Sequence, residues 1–293
     1  MTQNRRPDDL AHHWQRDGYI VVPGLIHSTR AARLAAIAES ILDQWRECNP
    51  ETGVPGGGPD ATVMRHLNHP QYFRQDRAGD LVDLLQAVAD PAVLDVCHAI
   101  LDAEPLFRCT SLFMNPESNS QNGNWHRDSQ FHHPDEEEER QAIDAGGDLG
   151  RSVQLQVALV PSDDVEVVPG SHRRWDTDAE YAIRRADEQR NNRSNAMPGA
   201  LRVALAPGDA VAFNPLALHR GRYHADKRRR TLMLTYTSSM HPRFDYFSDQ
   251  PWFDTAEYLA GLDQHTCAFF EHFVDRYGDE WRAKMAAQTH EER

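Results

Sequence analysis

Trp125-His126-Arg127-Asp128 is the stretch on which the reading of this chain turns. Residues i and i+2 of an extended strand project from one face, so His126 and Asp128 can present an imidazole and a carboxylate to the same ion. A second imidazole, His219, comes after the turn residues Pro207-Gly208-Asp209 and the apolar run Ala210-Val211-Ala212-Phe213. A short continuous apolar run fed by a turn reads as a buried strand. Two imidazoles and one carboxylate on one face of a metal leave the opposite positions open, the ligand pattern of non-haem Fe(II) oxygenases.

Spacing alone decides little. The chain has 16 His and 45 acidic residues, and His224-Ala225-Asp226 repeats the pattern. Context separates the two. His224 and Asp226 lie in a polar stretch, 221–227, between two apolar runs, which reads as a solvated hairpin connection. His126 comes instead after the strand-like run Thr110-Ser111-Leu112-Phe113-Met114. Taken by itself it is as good a hydrogen-bonded surface histidine as a ligand. The distant third ligand tips the balance.

Beyond His219 the chain re-enters an apolar strand, Thr231-Leu232-Met233-Leu234-Thr235-Tyr236, with arginines at 228, 229 and 230 at its entrance. An inward guanidinium there can clamp a carboxylate through paired, charge-assisted hydrogen bonds. Period-2 alternation groups Arg229 with Thr231, Met233 and Thr235, and Arg230 with Leu232, Leu234 and Tyr236. The hydroxyl of Thr231 on the first face favours Arg229 over Arg230 as the clamp. A solvated strand end is the plainer alternative for all three.

In this order the landmarks resemble the phytanoyl-CoA dioxygenase-like family: His126-Arg127-Asp128, then Val167-Val168-Pro169-Gly170-Ser171-His172-Arg173, then His219, then Arg229-Arg230-Thr231-Leu232. The opening Trp14-Gln15-Arg16-Asp17-Gly18-Tyr19-Ile20-Val21-Val22-Pro23-Gly24-Leu25 is similar to that family's first helix-to-strand passage, so the likeness runs from about residue 10 to residue 240. It implies a double-stranded β-helix (a jelly-roll, cupin-like barrel) and an enzyme dependent on Fe(II) and 2-oxoglutarate. It further implies that His126, Asp128 and His219 hold iron, that Arg229 with Thr231 binds the far carboxylate of 2-oxoglutarate, and that O₂ completes the site. Oxidation of a small-molecule C–H bond, with release of succinate and CO₂, is the expected reaction, with no catalytic residues beyond the metal ligands. Related halogenases replace the carboxylate ligand by a small residue, and retention of Asp128 favours hydroxylation or another halide-free oxidation. Two positions depart from the family. Gln156 stands where relatives often place an aromatic residue near the cosubstrate, and Gly221 where many have a serine two residues after the distal histidine.

Composition agrees with a soluble enzyme. All 293 residues are expected to form one domain with a barrel core at about 106–240 and helical flanks. The four cysteines show no C-x-x-C pairing, which argues against a zinc ribbon or disulfide framework. A formal charge of −14 disfavours nucleic acid or an anionic membrane as partner. No apolar run approaches the span of a bilayer and no leader is recognisable, so a cytoplasmic location is expected. Helices are expected over 8–17 and 28–47 (the second capped by Ser28 or Thr29), over 80–103 with a break near Pro91, and from Thr255 onward. The segment 52–60 reads as a Gly/Pro-rich loop.

Two insertions invite a role at the substrate mouth. In 129–150, His132 and His133 precede an acidic run, 135–139, that reads as a solvated helix start. In 173–202, Arg184, Arg185, Arg190 and Arg193 stand in a long polar connection of the kind that forms lids. His132 and Arg184 are the candidate substrate contacts. The rival classes are a cupin-like metalloenzyme that needs no 2-oxoglutarate, a non-catalytic metal- or ligand-binding module, and a structural zinc site. Structural zinc usually closes four ligands, often with Cys.

Overall fold

The computed structural model describes residues 7–51, 56–74, 77–255 and 257–291. Two antiparallel sheets face each other. The major sheet has the order β1 (Tyr19–Val22), β8 (Ala210–Phe213), β5 (Ser152–Ala158), β10 (Arg230–Ser238), β3 (Pro105–Met114) and β2 (Val63–Arg65). The minor sheet has the order β4 (Gln121–Asn122), β9 (His219–Tyr223), β6 (Ser162–Val167) and β7 (Leu201–Leu205). Antiparallel sheets with flanking helices are the jelly-roll arrangement expected. Strands β1 and β2 come from ahead of the expected core, so the major sheet draws on residues from 19 onward.

Alternation along the strands of the major sheet explains the layering. Leu232, Leu234 and Tyr236 of β10, with Val153 and Leu155 of β5, point outward into the main hydrophobic core. There they meet apolar residues of α1 (Pro7–Asp17), α2 (Ser28–Cys48), α3 (Ala78–Val88), α4 (Pro91–Leu101) and α7 (Gln264–Glu291), while α5 (Glu136–Asp144) and α6 (Asp178–Arg184) lie in the two insertions. The intervening residues Gln154, Gln156, Met233 and Thr235 line a cavity of about 400 Å³ between the sheets. Polar side chains in otherwise apolar strands therefore mark the inner face, where a ligand volume takes the place of a core. A smaller apolar cluster, including Val165, Val203, Val211 and Phe213, closes the space between the sheets beside it.

Several local expectations are corrected. The second helix is capped by His27, whose Nδ1 accepts from the Thr29 amide, one residue before the expected Ser or Thr. The stretch Gly79–Leu101 is apolar enough by composition to cross a bilayer, contrary to the expectation, and its most apolar window is half buried. Asp90 caps α4 there and separates it from α3. The segment 221–227 is not a hairpin: β9 pairs with β4 and β6, whereas β10 pairs with β3 and β5. The turn carries the chain from one sheet to the other. Residues 52–55 of the expected Gly/Pro-rich loop lie outside the described residues.

Candidate metal centre

His126 and His219 face each other as an isolated antiparallel bridge in which each backbone amide donates to the other's carbonyl, at 3.1 and 3.0 Å. Their ring centroids are 4.2 Å apart. Arg127 is extended and Asp128 then opens a 3-10 turn, Asp128–Phe131, so the strand expected to carry the pair lasts only as far as its middle residue. That is enough to bring both side chains to one side. The Nε2 atoms of His126 and His219 each lie 3.7 Å from Asp128 Oδ1. One ligand atom from each of the three residues can be chosen so that all lie within 4.8 Å of one another.

The remaining polar atoms of the triad are spoken for. His126 Nδ1 is 2.7 Å from the Asn124 carbonyl and His219 Nδ1 is 2.9 Å from that of Ala217. A carbonyl only accepts, so each Nδ1 carries the proton and each Nε2 has its lone pair available for a metal ion. Burial, and next the neighbouring His126, lower the pKa of His219 to about 4, which keeps it an unprotonated ligand at neutral pH. The second oxygen of Asp128 accepts a hydrogen bond from Gln154 Nε2. Sequence reading missed Gln154, although its alternation with Gln156 in Val153-Gln154-Leu155-Gln156-Val157 was the available signal.

Arg127 points the other way and anchors the ligand segment. Its side chain is fully buried, pairs with Asp176 at 2.8 Å and donates to the carbonyls of Ser171 and Leu216. Asp176 also receives Arg184 Nε at 2.6 Å, and Arg184 reaches Glu139 at 3.1 Å. Glu139 accepts in turn from Ser129, beside Asp128, and from Arg185. This corrects two expectations. Arg184 is absent from the cavity wall and is locked in a buried ion network, and Glu139 leaves the solvated acidic run to neutralise it. The polar insertion supplies the clamp behind the candidate metal ligands.

His132 does line the cavity. Its Nδ1 is 2.8 Å from an Arg243 nitrogen, and burial followed by that guanidinium lowers its pKa, so it stays neutral and accepts the bond. Asp226 is exposed, and among the described residues only His126, Asp128 and His219 form a group able to hold a metal.

Arg229 and Arg230 part as the alternation requires. Arg230 forks onto Glu39 of α2 at 2.5 and 2.9 Å. Arg229 is 1% exposed, lines the cavity, and lies 5.3 Å from the Phe113 ring centre and 5.2 Å from that of Tyr223. Its Nε donates to Thr231 Oγ1 at 3.3 Å. Thr231 thus sits behind the guanidinium and off the cavity wall, where it holds Arg229 in place. Gly221 has a structural reason. A Cβ at that position would stand 2.9 Å from the Tyr223 hydroxyl, so the tyrosine fills the volume a side chain there would take. Tyr223, read from sequence as part of a solvated turn, lines the cavity instead. Gln156 lines it too, its Nε2 facing only the Met233 thioether at 3.8 Å.

A jelly roll with two imidazoles and one carboxylate converging at the mouth of a cavity between its sheets defines a mononuclear metalloenzyme of the facial-triad class. The chain belongs to the phytanoyl-CoA dioxygenase (PhyH) family, whose model matches residues 14–231, and with it to the iron- and 2-oxoglutarate-dependent oxygenases. Its fold is similar to AviO1 from Streptomyces viridochromogenes Tue57 (TM-score 0.57, 20% identity, covering 82% of this chain and 98% of that one). It is also similar to EctD from S. alaskensis, solved with 2-oxoglutarate and 5-hydroxyectoine (0.57, 19%, 84% and 81%). A third similar structure is the α-ketoglutarate-dependent carbocyclase SnoK from nogalamycin biosynthesis (0.56, 16%, 81% and 86%). No curated protein matches the chain in sequence.

Proposed function

We propose that this chain is an Fe(II)- and 2-oxoglutarate-dependent dioxygenase that hydroxylates a C–H bond of a small molecule, releasing succinate and CO₂. The observation that carries the reading is the joint presence, in one cavity, of the triad and of a buried guanidinium, Arg229. The donor set fits Fe(II): two neutral imidazoles with Nε2 free, one carboxylate, no thiolate, and an open side toward the cavity. Bound there with 2-oxoglutarate and O₂, the iron supplies an oxidant for C–H bonds.

The chain's own residues would do the rest. His126, Asp128 and His219 hold the ion, and Gln154 fixes which carboxylate oxygen faces it. Arg229, steadied by Thr231 and flanked by Tyr223, is placed to bind the distal carboxylate of 2-oxoglutarate by charge-assisted hydrogen bonds. The Tyr223 hydroxyl stands in for the serine hydroxyl that Gly221 lacks. The Gln156 amide, whose Nε2 donates to the Met233 thioether and whose Oε1 has no partner among the described residues, is free to turn to the cosubstrate. Phe213, buried and 4.7 Å from the His219 ring, shields that ligand from water, and Phe131 lies 5.6 Å from the His126 ring. Retention of Asp128 favours hydroxylation, although the epimerase SnoN and the carbocyclase SnoK show that similar folds serve other outcomes. A soluble protein acting in the cytoplasm on a small molecule completes the proposal.

The test is succinate formation from 2-oxoglutarate by the Fe(II)-loaded protein under O₂. The wild type and Asp226→Ala should form succinate; Asp128→Ala should not, and should no longer retain Fe(II) in a metal titration. Equal loss in the two variants, or no iron-dependent succinate from any of them, would sink the reading.

A further inference from the structure

Besides Arg229, the cavity is lined by Arg220, Arg65 and Arg108. Arg220 is satisfied, 2.5 Å from Glu166 and bonded to the carbonyls of Arg193 and Ser194. The other two are not. Arg65 lies on the edge strand β2, opposite Ser111 of β3, and alternation turns it inward while Met64 enters the core. Its guanidinium donates to Ser111 Oγ at 3.0 Å and has no carboxylate partner among the described residues. The Phe113 and Phe247 rings lie 5.5 and 5.4 Å from it. Arg108 is 4% exposed and 5.6 Å from the same Phe247 ring. One of its nitrogens reaches Asp245 at 2.5 Å, while its buried Nε has no partner among the described residues. Asp245 also serves Arg243, at 3.2 Å. Two guanidiniums therefore share one carboxylate and a third, Arg65, has none, inside a protein whose overall charge is −14.

Removing an arginine from water without a counter-charge is costly, and a buried N–H without an acceptor costs more. Planar forks held by aromatic rings are suited to an oxyanion. Beside the triad the wall carries the rings of Phe131 and Phe213, and Val165 and Met233 add apolar surface to the same cavity. We infer that the Arg65–Arg108 recess binds the anionic group of the substrate, and that the substrate is an organic oxyanion, a carboxylate or phosphate monoester, whose apolar body lies toward the triad. The inference rests on the proposed oxygenase reading for what happens to that body, but the anion site stands on its own geometry.

The test is isothermal titration of the full chain, without metal or 2-oxoglutarate, against phenylacetate, 4-phenylbutyrate, octanoate and phenyl phosphate. Each is paired with its neutral counterpart: the three amides and phenol. At least one anion should bind about tenfold or more tightly than its counterpart, the worth of one charged hydrogen bond. That preference should vanish in Arg65→Leu, return in part in Arg65→Lys, and survive in Arg229→Ala. Arg108→Gln should weaken it as well. Because that change also leaves Asp245 with Arg243 alone, the edge-strand Arg65 variants decide the matter if Arg108→Gln fails to fold. No preferred anion in the panel, or a preference that survives Arg65→Leu, overturns the inference. So does a preference lost in Arg229→Ala, since the probe would then be reading the other guanidinium. A parallel titration of 2-oxoglutarate into the Fe(II)-loaded protein under anaerobic conditions separates the two proposals. Weakened binding in Arg65→Leu would reassign Arg65 to the cosubstrate and overturn the inference. No binding by the wild type, with the panel behaving as expected, would sink the oxygenase reading alone.

Discussion

Asp128 has two oxygens and the site treats them differently: Oδ1 faces both imidazoles while Oδ2 is held by Gln154. Partners of this kind orient a ligand and tune its basicity, and losing one typically costs about 10- to 100-fold in metal affinity. Gln154→Ala should therefore weaken Fe(II) binding by that order in a competitive chelator titration while leaving the fold's thermal midpoint close to that of the wild type. An unchanged affinity would mean the amide is incidental. The same scale decides between the two arginines. Arg229→Ala should weaken 2-oxoglutarate binding by about ten- to a hundredfold, equivalent to roughly 1.5–3 kcal/mol for a hydrogen-bonded charge, without loss of iron. Arg230→Ala, which leaves Glu39 to Arg228 and removes a donor from the Arg229 carbonyl, should leave that affinity nearly unchanged; the reverse result would place the clamp on the wrong face of β10. The inward face of β10 was legible because alternation depends on the strand alone. Arg184 was misread because charge does not reveal burial: its fate is set by Asp176 and Glu139, carboxylates that only the folded chain brings to it.

The element that holds the ligand segment is a set of turns and short helices tied by that ion network. Removing one member of a buried pair leaves its partner charged and unsolvated, at a cost of about 3–5 kcal/mol. Arg184→Ala should lower stability by that amount in urea denaturation, and loosen iron through Arg127 and Ser129. A stable variant with an altered substrate preference would instead restore Arg184 to the substrate site. The turn Ser171–Arg173 provides a second check, by pH. His172 packs against Gly18 at the end of α1 (Pro7–Asp17), where a Cβ would come within 2.2 Å of its Nδ1. Burial, then Arg173, lower its pKa from 6.5 to about 4. The unfolded chain therefore binds this proton first as pH falls. The stabilisation is complete above about 6.5 and is lost between there and about 4. Denaturation of wild type and His172→Gln at pH 7 and pH 4.5 should show the wild type losing roughly 2 kcal/mol more than the variant. Equal losses would mean the imidazole titrates freely. Helices such as α2 and α4 were legible from local spacing and breaks, whereas the β9–β10 connection was not. Turn residues announce that a strand ends, but which sheet receives the next strand is decided by long-range pairing.

Across the whole molecule, the C-terminal helix joins the outer core to the inner cavity. Phe270, Phe273, Tyr277 and Trp281 of α7 are fully buried, so its apolar stripe packs on the outer face of the major sheet. Its polar tips do something the stripe does not announce. The Trp281 indole donates to the Ser248 carbonyl at 2.9 Å, and the Tyr277 hydroxyl both donates to the Arg243 carbonyl and accepts from the Arg243 amide, each at 3.0 Å. The segment 243–248, bound at both ends in this way, carries Asp245 and Phe247 to Arg108 and Arg65 at the cavity. Removing the indole should act at two distances. Trp281→Ala opens a large cavity in the outer core and should cost about 3–5 kcal/mol of stability. Trp281→Phe fills most of the volume but leaves the Ser248 carbonyl with the Gln250 amide alone as donor, which should cost about 0.5–1.5 kcal/mol. Hydrogen exchange then separates packing from bracing: in Trp281→Phe the amides of Phe247 and Ser248 should lose protection while those of β10 keep theirs. Uniform loss across both segments would show that α7 stabilises the fold as a whole and does not hold the cavity wall in particular.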